Sequence, residues 1–379
     1  MSNIIDYIKW RGDLSFNQSE FNEIDNLILA RFSYFCLDGA IKENEKITVK
    51  QAYENTEKIG IPEQKILQIE DKDLFPVMAK SKRFGKLYIT EYVNNVDEDE
   101  EKQFSAVTVL LPDNTMYVAY RGTDNTLVGW KEDFNMCFSS NVPSQLSAVE
   151  YLERVSKLNK RKIRVGGHSK GGNLAIYAAV FANDSVKNRI INVYNNDGPG
   201  MSSDIIEKQE YKDMVNKIYT YVPQSSIIGR LLYHEEKYKV IESTQTGIMQ
   251  HDLYSWQLEG KKFTYLEELT KESKVADKVI KGWLNGISPE RRQEFVDILY
   301  QILITTNAQT LKEFSNNWLK NASICLKAYT TSNEEDKKII SDTLVKLFGI
   351  TKNNLWDSMQ ESRKEKKLIS DQKKIANWT

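Results

Sequence analysis

The chain has 379 residues, a formal net charge of -1, 28% charged residues and 40% hydrophobic ones. That balance leaves room for one large α/β domain with an appendage, and it excludes a global pull toward nucleic acid or an anionic membrane surface. No run approaches the ~20 apolar residues of a membrane span, Met1 to Trp10 lacks the pattern of a secretory signal, and Cys36, Cys137 and Cys325 are too few and too scattered for a disulfide framework or a zinc site.

In chain order, an amphipathic helix is expected from Asn17 to Phe35, with Phe21, Ile24, Leu27, Ile28, Arg31, Phe32 and Phe35 at helical spacing. A second helix is expected over Val49 to Lys58, stopping at Gly60, followed by a polar helical or looped segment to Met78. These residues suggest packing and no chemistry. The sheet is expected to begin near Gly85, with strands at Lys86 to Tyr92, Gln103 to Leu111 and Thr115 to Arg121. An acidic solvent turn (Asn94 to Lys102) separates the first two, and Pro112-Asp113-Asn114 makes a hairpin between the last two.

A helix at Ser147 to Leu158 leads to the strand Lys162 to Val165 and the helix from Leu174 to Ala179. Strands at Ile190 to Asn195, Lys217 to Val222 and Tyr238 to Glu242 alternate with a helix at Ser203 to Asn216 and a helical turn near Ile227 to Leu232. This alternation predicts an α/β fold with a mostly parallel sheet covered on both faces. Beyond Gly260 no further strand is expected. Leu266 to Leu284, Pro289 to Thr305, Ala308 to Leu319, Glu334 to Phe348 and Asn353 to Leu368 are helix-patterned, and the Lys-rich end reads as a solvated face. The predicted division is an α/β unit over 1–260 (helical segment 1–80, sheet core 85–260) and a helical C-terminal extension over 261–379.

The chemistry centres on Gly167-x-Ser169-x-Gly171, placed between a predicted strand and a predicted helix. A turn that sharp needs glycine two residues either side of the serine, and it lifts the hydroxyl above the sheet edge. A serine hydroxyl needs a base, and the base needs an orienting group. Of the three histidines, His168 adjoins the serine and is expected to point away and pack, while His234 lies in a charged loop. His251 follows the last predicted strand, where the order nucleophile, acid, histidine places a base.

For the acid, Pro223 to Gly229 offers hydroxyls but no carboxylate. Asp197, in Asp197-Gly198-Pro199-Gly200, is chosen over Asp252, whose position next to the base points it elsewhere. The oxyanion donors expected are the N–H of Lys170 and the N–H of Thr123, with the Thr123 hydroxyl a further donor. Asp124 either orients this loop or caps a turn. Trp130, Asp133 and Phe134 are expected to anchor it, with Asp133 pairing Arg121.

With Arg121-Gly122-Thr123, Gly167-His168-Ser169-Lys170-Gly171-Gly172 and His251 in order, the chain resembles α/β-hydrolases of the class 3 lipase type. More closely it resembles the Mbeg1-like family, over roughly residues 1 to 260. The resemblance implies Ser169 as nucleophile, His251 as base and Thr123 with Lys170 as oxyanion donors. Class 3 lipases place an aspartate after the strand matching Lys217 to Val222, where this chain has Ser225 and Ser226. Either Asp197 substitutes from the previous strand, or the triad is incomplete.

Two functions of different kinds stay open on the sequence, with a thioesterase or transacylase as a variant of the first that differs only in leaving group or acceptor. One is a cytoplasmic serine esterase acting on a small-molecule or lipid ester, with no cofactor and no metal. The other is a catalytically weak or inactive fold that presents a binding surface. The C-terminal helices suit a lid, a homo-oligomer contact or a protein partner equally.

Overall fold

The structure, a computed structural model, describes residues 2–124, 126–136, 141–306, 318–343 and 345. Among these the central sheet is built from β1 (Lys46–Thr48), β2 (Tyr88–Asp97), β3 (Lys102–Leu110), β4 (Thr115–Tyr120), β5 (Lys162–His168), β6 (Ile190–Asn196), β7 (Ile218–Pro223) and β8 (Tyr238–Ile241), lying side by side in chain order. A separate hairpin, β9 (Leu258–Glu259) with β10 (Lys262–Phe263), precedes β11 (Tyr265–Leu266), which closes the sheet against β8. β1 to β4 pair antiparallel and β4 to β8 pair parallel, as a strand–helix alternation requires.

Side chains alternate along the strands, and each set meets its own helical layer. Tyr117 and Ala119 of β4 join one core cluster with α1 (Ile4–Arg11), α2 (Glu23–Phe32), α3 (Val49–Ile59) and α4 (Asp71–Lys80). Further along the chain, α5 (Leu127–Asn135) leaves the end of β4 and α6 (Pro143–Leu158) follows it. Met116, Val118 and Tyr120 point the other way, to α6, α7 (Lys170–Phe181), α8 (Asp184–Lys187), α9 (Ser203–Ile206) and α10 (Gln209–Met214). After the sheet come α11 (Lys271–Gly286), α12 (Pro289–Ile304) and α13 (Trp318–Thr331). No helix among the described residues is long and apolar enough to cross a membrane.

The N-terminal helices form the cover of one sheet face, and α2 lies at its centre. Every residue from Ile24 to Phe32 is buried, the polar ones included. Burying charge is tolerable only with a partner. Asp25 meets Arg83 (2.7 and 2.5 Å), Arg31 meets Asp71 (2.7 and 2.5 Å), and Asn26 donates to Asn196 Oδ1 (2.9 Å) while accepting from the Tyr117 hydroxyl (2.7 Å). α2 starts later than its apolar spacing predicts because Asn22 and Asp25 form a capping box there. The Val49 helix is capped by Thr48 and Gln51 and stops at Gly60, whose φ of 74° ends it as expected.

Several expectations need correcting. The sheet begins at β1, not near Gly85, and three short strands lie beyond residue 257, two of them beyond Gly260. Two- and three-residue strands are too short for an alternation to be read. The acidic turn shrinks to 98–101, because β2 runs on to Asp97 and β3 starts at Lys102. The helix at Ser203 to Asn216 breaks into α9 and α10, α6 starts at Pro143 (proline suits the first helical turn), and α5 was not anticipated. The segment 308–317, residues 346–379 with their Lys-rich end, and Cys137 lie outside the described residues.

Candidate active site

β5 runs straight into α7 through one residue, Ser169, with φ 57° and ψ −135°. A non-glycine residue there is strained, by about 1–3 kcal/mol, and is held by its surroundings. Its N–H donates to the Asn196 carbonyl (3.0 Å) and its carbonyl accepts from Gly172 N–H (2.8 Å). The flanking glycines are needed sterically: a Cβ on Gly167 would lie 2.3 Å from the Gly171 backbone. Ser169 keeps partial exposure while His168 and Lys170 on either side are buried.

β6, the neighbour of β5, ends in Asp197, which is 1% exposed and has φ 52°. Its N–H donates to the Tyr221 carbonyl (2.8 Å), fixing it against β7. One carboxylate oxygen, Oδ2, accepts from Nδ1 of His251 at 2.6 Å. The other, Oδ1, accepts from the Ser226 hydroxyl, whose own oxygen accepts from Gly229 N–H (3.1 Å). A carboxylate accepts only, so Nδ1 carries the proton and Nε2 of the neutral ring keeps its lone pair. The His251 side chain is 24% exposed. Asp197 and His251 thus meet, while Asp252 turns away and accepts from Tyr254 N–H (3.1 Å).

His168 packs, as its position suggests, and it also holds His251. Its Nε2 lies 2.8 Å from the His251 carbonyl, the two rings are 4.5 Å apart, and its Nδ1 faces the Tyr34 hydroxyl (3.2 Å). Burial, followed by the nearby His251 and Arg31, holds this ring well below the ordinary histidine range, so it stays neutral. Tyr34 comes from the N-terminal segment, where no role near the site was anticipated. His234, placed by sequence in a charged loop, is instead buried with Glu236 (2.8 Å).

After β4 the chain turns at Gly122, where a Cβ would come within 2.1 Å of the Tyr34 hydroxyl oxygen and 3.0 Å of Ser169 Cβ. The Arg121–Asp124 loop therefore passes directly beside the serine. Thr123 gives its hydroxyl to Asp133 (2.6 and 2.5 Å), which leaves only its N–H for an incoming oxygen. The expected Asp133–Arg121 pair is not formed: Arg121 reaches Asp124 (3.2 Å), only three residues on in the chain. Asp124 both orients the loop and accepts from Thr126 N–H (2.9 Å). Surrounding protein pushes Asp133 up to about 6, against Lys170 and the Thr123 hydroxyl, although 32% of the side chain is still exposed. Trp130 and Phe134 stack edge to face at 4.5 Å.

The residue after the serine has a second task that its sequence did not reveal. The Lys170 side chain is 1% exposed, and its ammonium donates to the Gln103 carbonyl (2.9 Å) and to Glu132 (2.8 Å). Glu132, wholly buried on α5, also accepts from the N–H groups of Gln103 (3.0 Å) and Ser144 (2.9 Å). Lys170→Met is expected to destabilise the fold by about 3–5 kcal/mol, because Glu132 would stay buried without its cation. Urea unfolding followed by far-UV dichroism checks this, and a loss below about 1 kcal/mol would mean the pair behaves as a surface one.

Among the described residues no group of three or more His, Cys, Asp or Glu could hold a metal.

A mixed sheet wrapped by helices, parallel from β4 to β8, with a strand–serine–helix bend at the carboxyl edge of that parallel part, defines an α/β-hydrolase-type fold. A family match over residues 78–301 covers more than half of the chain, which belongs to the Mbeg1-like family. Solved structures similar to it include the native Rhizomucor miehei lipase propeptide complex (15% identity, 47% of this chain and 70% of that one, TM-score 0.36). A fungal lipase–inhibitor complex matches at 17% identity over 42% of this chain and 67% of that one, TM-score 0.33. The M37 lipase matches at 17% over 54% and 68%, TM-score 0.33. No curated protein matches the chain.

Proposed function

We propose that the protein is a serine hydrolase that cleaves a carboxylic ester. The observation that carries this reading is the 2.6 Å contact of His251 Nδ1 with buried Asp197, taken together with a serine held at φ 57° on the turn into α7. Nε2 of His251 takes the Ser169 proton as Oγ attacks the ester carbonyl, and returns it to the leaving alcohol. The resulting acyl-enzyme is hydrolysed by a water that the same nitrogen activates. Ser169 heads α7, so the Lys170 N–H is unpaired within the helix and is supported by the helix dipole. With the Thr123 N–H it stabilises the oxygen that gains charge. Asp197 keeps the proton on Nδ1 throughout.

The substrate class is a small-molecule or lipid ester, and the working location is the cytoplasm. The mechanism calls on no metal or cofactor. The sheet through β11, with the helices on its two faces, forms the hydrolase unit, and the helices after it form an accessory element. The test is a fluorophosphonate probe on the full chain, with the adduct located by peptide mass, alongside p-nitrophenyl esters of graded chain length. A single adduct on Ser169 and turnover that rises with acyl length support a lipid ester, and turnover on short chains alone supports a small one. No adduct and no turnover would make this fold a binding module.

A further inference from the structure

Three consecutive residues of α5 grip three different parts of the molecule. Side chains one residue apart on a helix point about 100° from each other, so one short helix can reach in three directions. Asp133 takes the Thr123 hydroxyl and Glu132 takes the Lys170 ammonium, so this side of α5 holds both residues assigned to the oxyanion site. Lys131 turns outward to other partners. Its side chain, 6% exposed, reaches Glu101 of the β2–β3 turn (2.5 Å) and Asp297 of α12 (2.9 Å). The same ammonium sits 4.7 Å from the centre of the Tyr300 ring, also on α12. Asn135, at the end of α5, donates to Glu101 as well (2.9 Å).

A nine-residue helix is too short to be stable by itself, so its tertiary partners decide where it lies. α5 has one set of such partners at the reacting groups and another on a helix that contributes nothing to the triad. We propose that α12 is a positioning element for the oxyanion site: Asp297 and Tyr300, by gripping Lys131, set the placement of α5 and through it the Thr123 and Lys170 N–H groups. This rests on the ester-hydrolase reading above. Asp297 and Tyr300 touch no reacting atom and act only through Lys131. Their effect belongs to the step in which charge develops on the carbonyl oxygen, and it appears in kcat while ground-state binding is preserved.

The test uses the full chain carrying Asp297→Ala with Tyr300→Leu, which leaves Lys131 only Glu101. Amide hydrogen exchange across residues 127–135 is expected to speed up by at least about tenfold, while β4 to β6 keep their protection. Ester turnover is expected to fall about tenfold in kcat, with KM within about twofold of wild type. The conservative pair Asp297→Glu with Tyr300→Phe restores both. With Glu101→Gln also in place, so that no charged partner of Lys131 remains, adding Lys131→Met to the Asp297→Ala/Tyr300→Leu variant costs nothing further, since every link it would cut is already cut.

Unchanged exchange in α5 overturns the proposal, as does a kcat within about twofold of wild type in a variant that melts normally. If the double variant does not fold, Tyr300→Leu alone carries the same exchange measurement. A wild type without serine-dependent turnover would sink the hydrolase reading alone, because exchange in α5 still decides whether α12 controls it.

Discussion

Ser169→Ala is expected to lower kcat for any ester the protein turns over by about 10⁶-fold, to a residue that the oxyanion donors and binding alone sustain. The size follows from what alanine removes and what it leaves. It removes the oxygen that forms the acyl-enzyme, so His251 has no proton to take and water must attack directly. It leaves the bend: Cβ remains, and the strained φ of 57° and the hydrogen bonds at 3.0 and 2.8 Å are backbone properties. Thermal stability should therefore stay close to wild type, and the loss can be read as chemistry. Residual turnover above about 1% of wild type would show that another group is the nucleophile.

Replacing Asp197 with Asn is expected to cost about 10⁴ in kcat. Both oxygens of Asp197 are acceptors, Oδ2 from His251 and Oδ1 from Ser226. An amide has one oxygen and one NH₂, so it must present a donor to one of them. If the NH₂ faces His251, Nδ1 becomes the acceptor, the ring proton moves to Nε2, and the atom that should accept from serine is blocked. If it faces Ser226, the tautomer survives, but the imidazolium formed in the reaction loses its counter-charge. Ser225→Ala is the control, because the Ser225 hydroxyl pairs with Thr270 (3.0 Å) and not with Asp197. Its kcat should stay within about twofold of wild type. An Asp197→Asn protein retaining a tenth of its activity would remove Asp197 from the mechanism.

The loop after β7 engages Asp197. It supplies a hydroxyl, from Ser226, to a carboxylate that stands one strand over. Spacing along the chain cannot reveal this, because it depends on β6 and β7 being parallel neighbours that end side by side. The bend at Ser169 was legible for the opposite reason: glycines, β-branched residues and an apolar helix follow one another within eighteen positions. The alternation of the sheet was equally local.

What stayed hidden were buried charges. Lys131, Glu132 and Lys170 read as surface residues to any rule based on hydrophobicity, yet each is buried through a partner distant in sequence. This is why α5 went unrecognised, and why Asp133 was assigned to Arg121 by charge alone when Thr123 had the better geometry. Tyr34 was invisible in the same way, since nothing in an apolar helical run marks a residue whose hydroxyl reaches His168.

Because the strands from β1 to β8 sit in the order in which they are made, each can dock beside its predecessor while the ribosome is still working. α2 has no such advantage. Asn26 must wait for Tyr117 and then for Asn196, 91 and 170 positions downstream, and the carbonyl of Leu258 that anchors Ser2 arrives 256 positions after it. The two ion pairs of α2 can close once Arg83 has been made, but Asn26 lacks its last partner until β6 is complete. A helix that waits this long for its sheet partners stays open to wrong contacts while the chain grows.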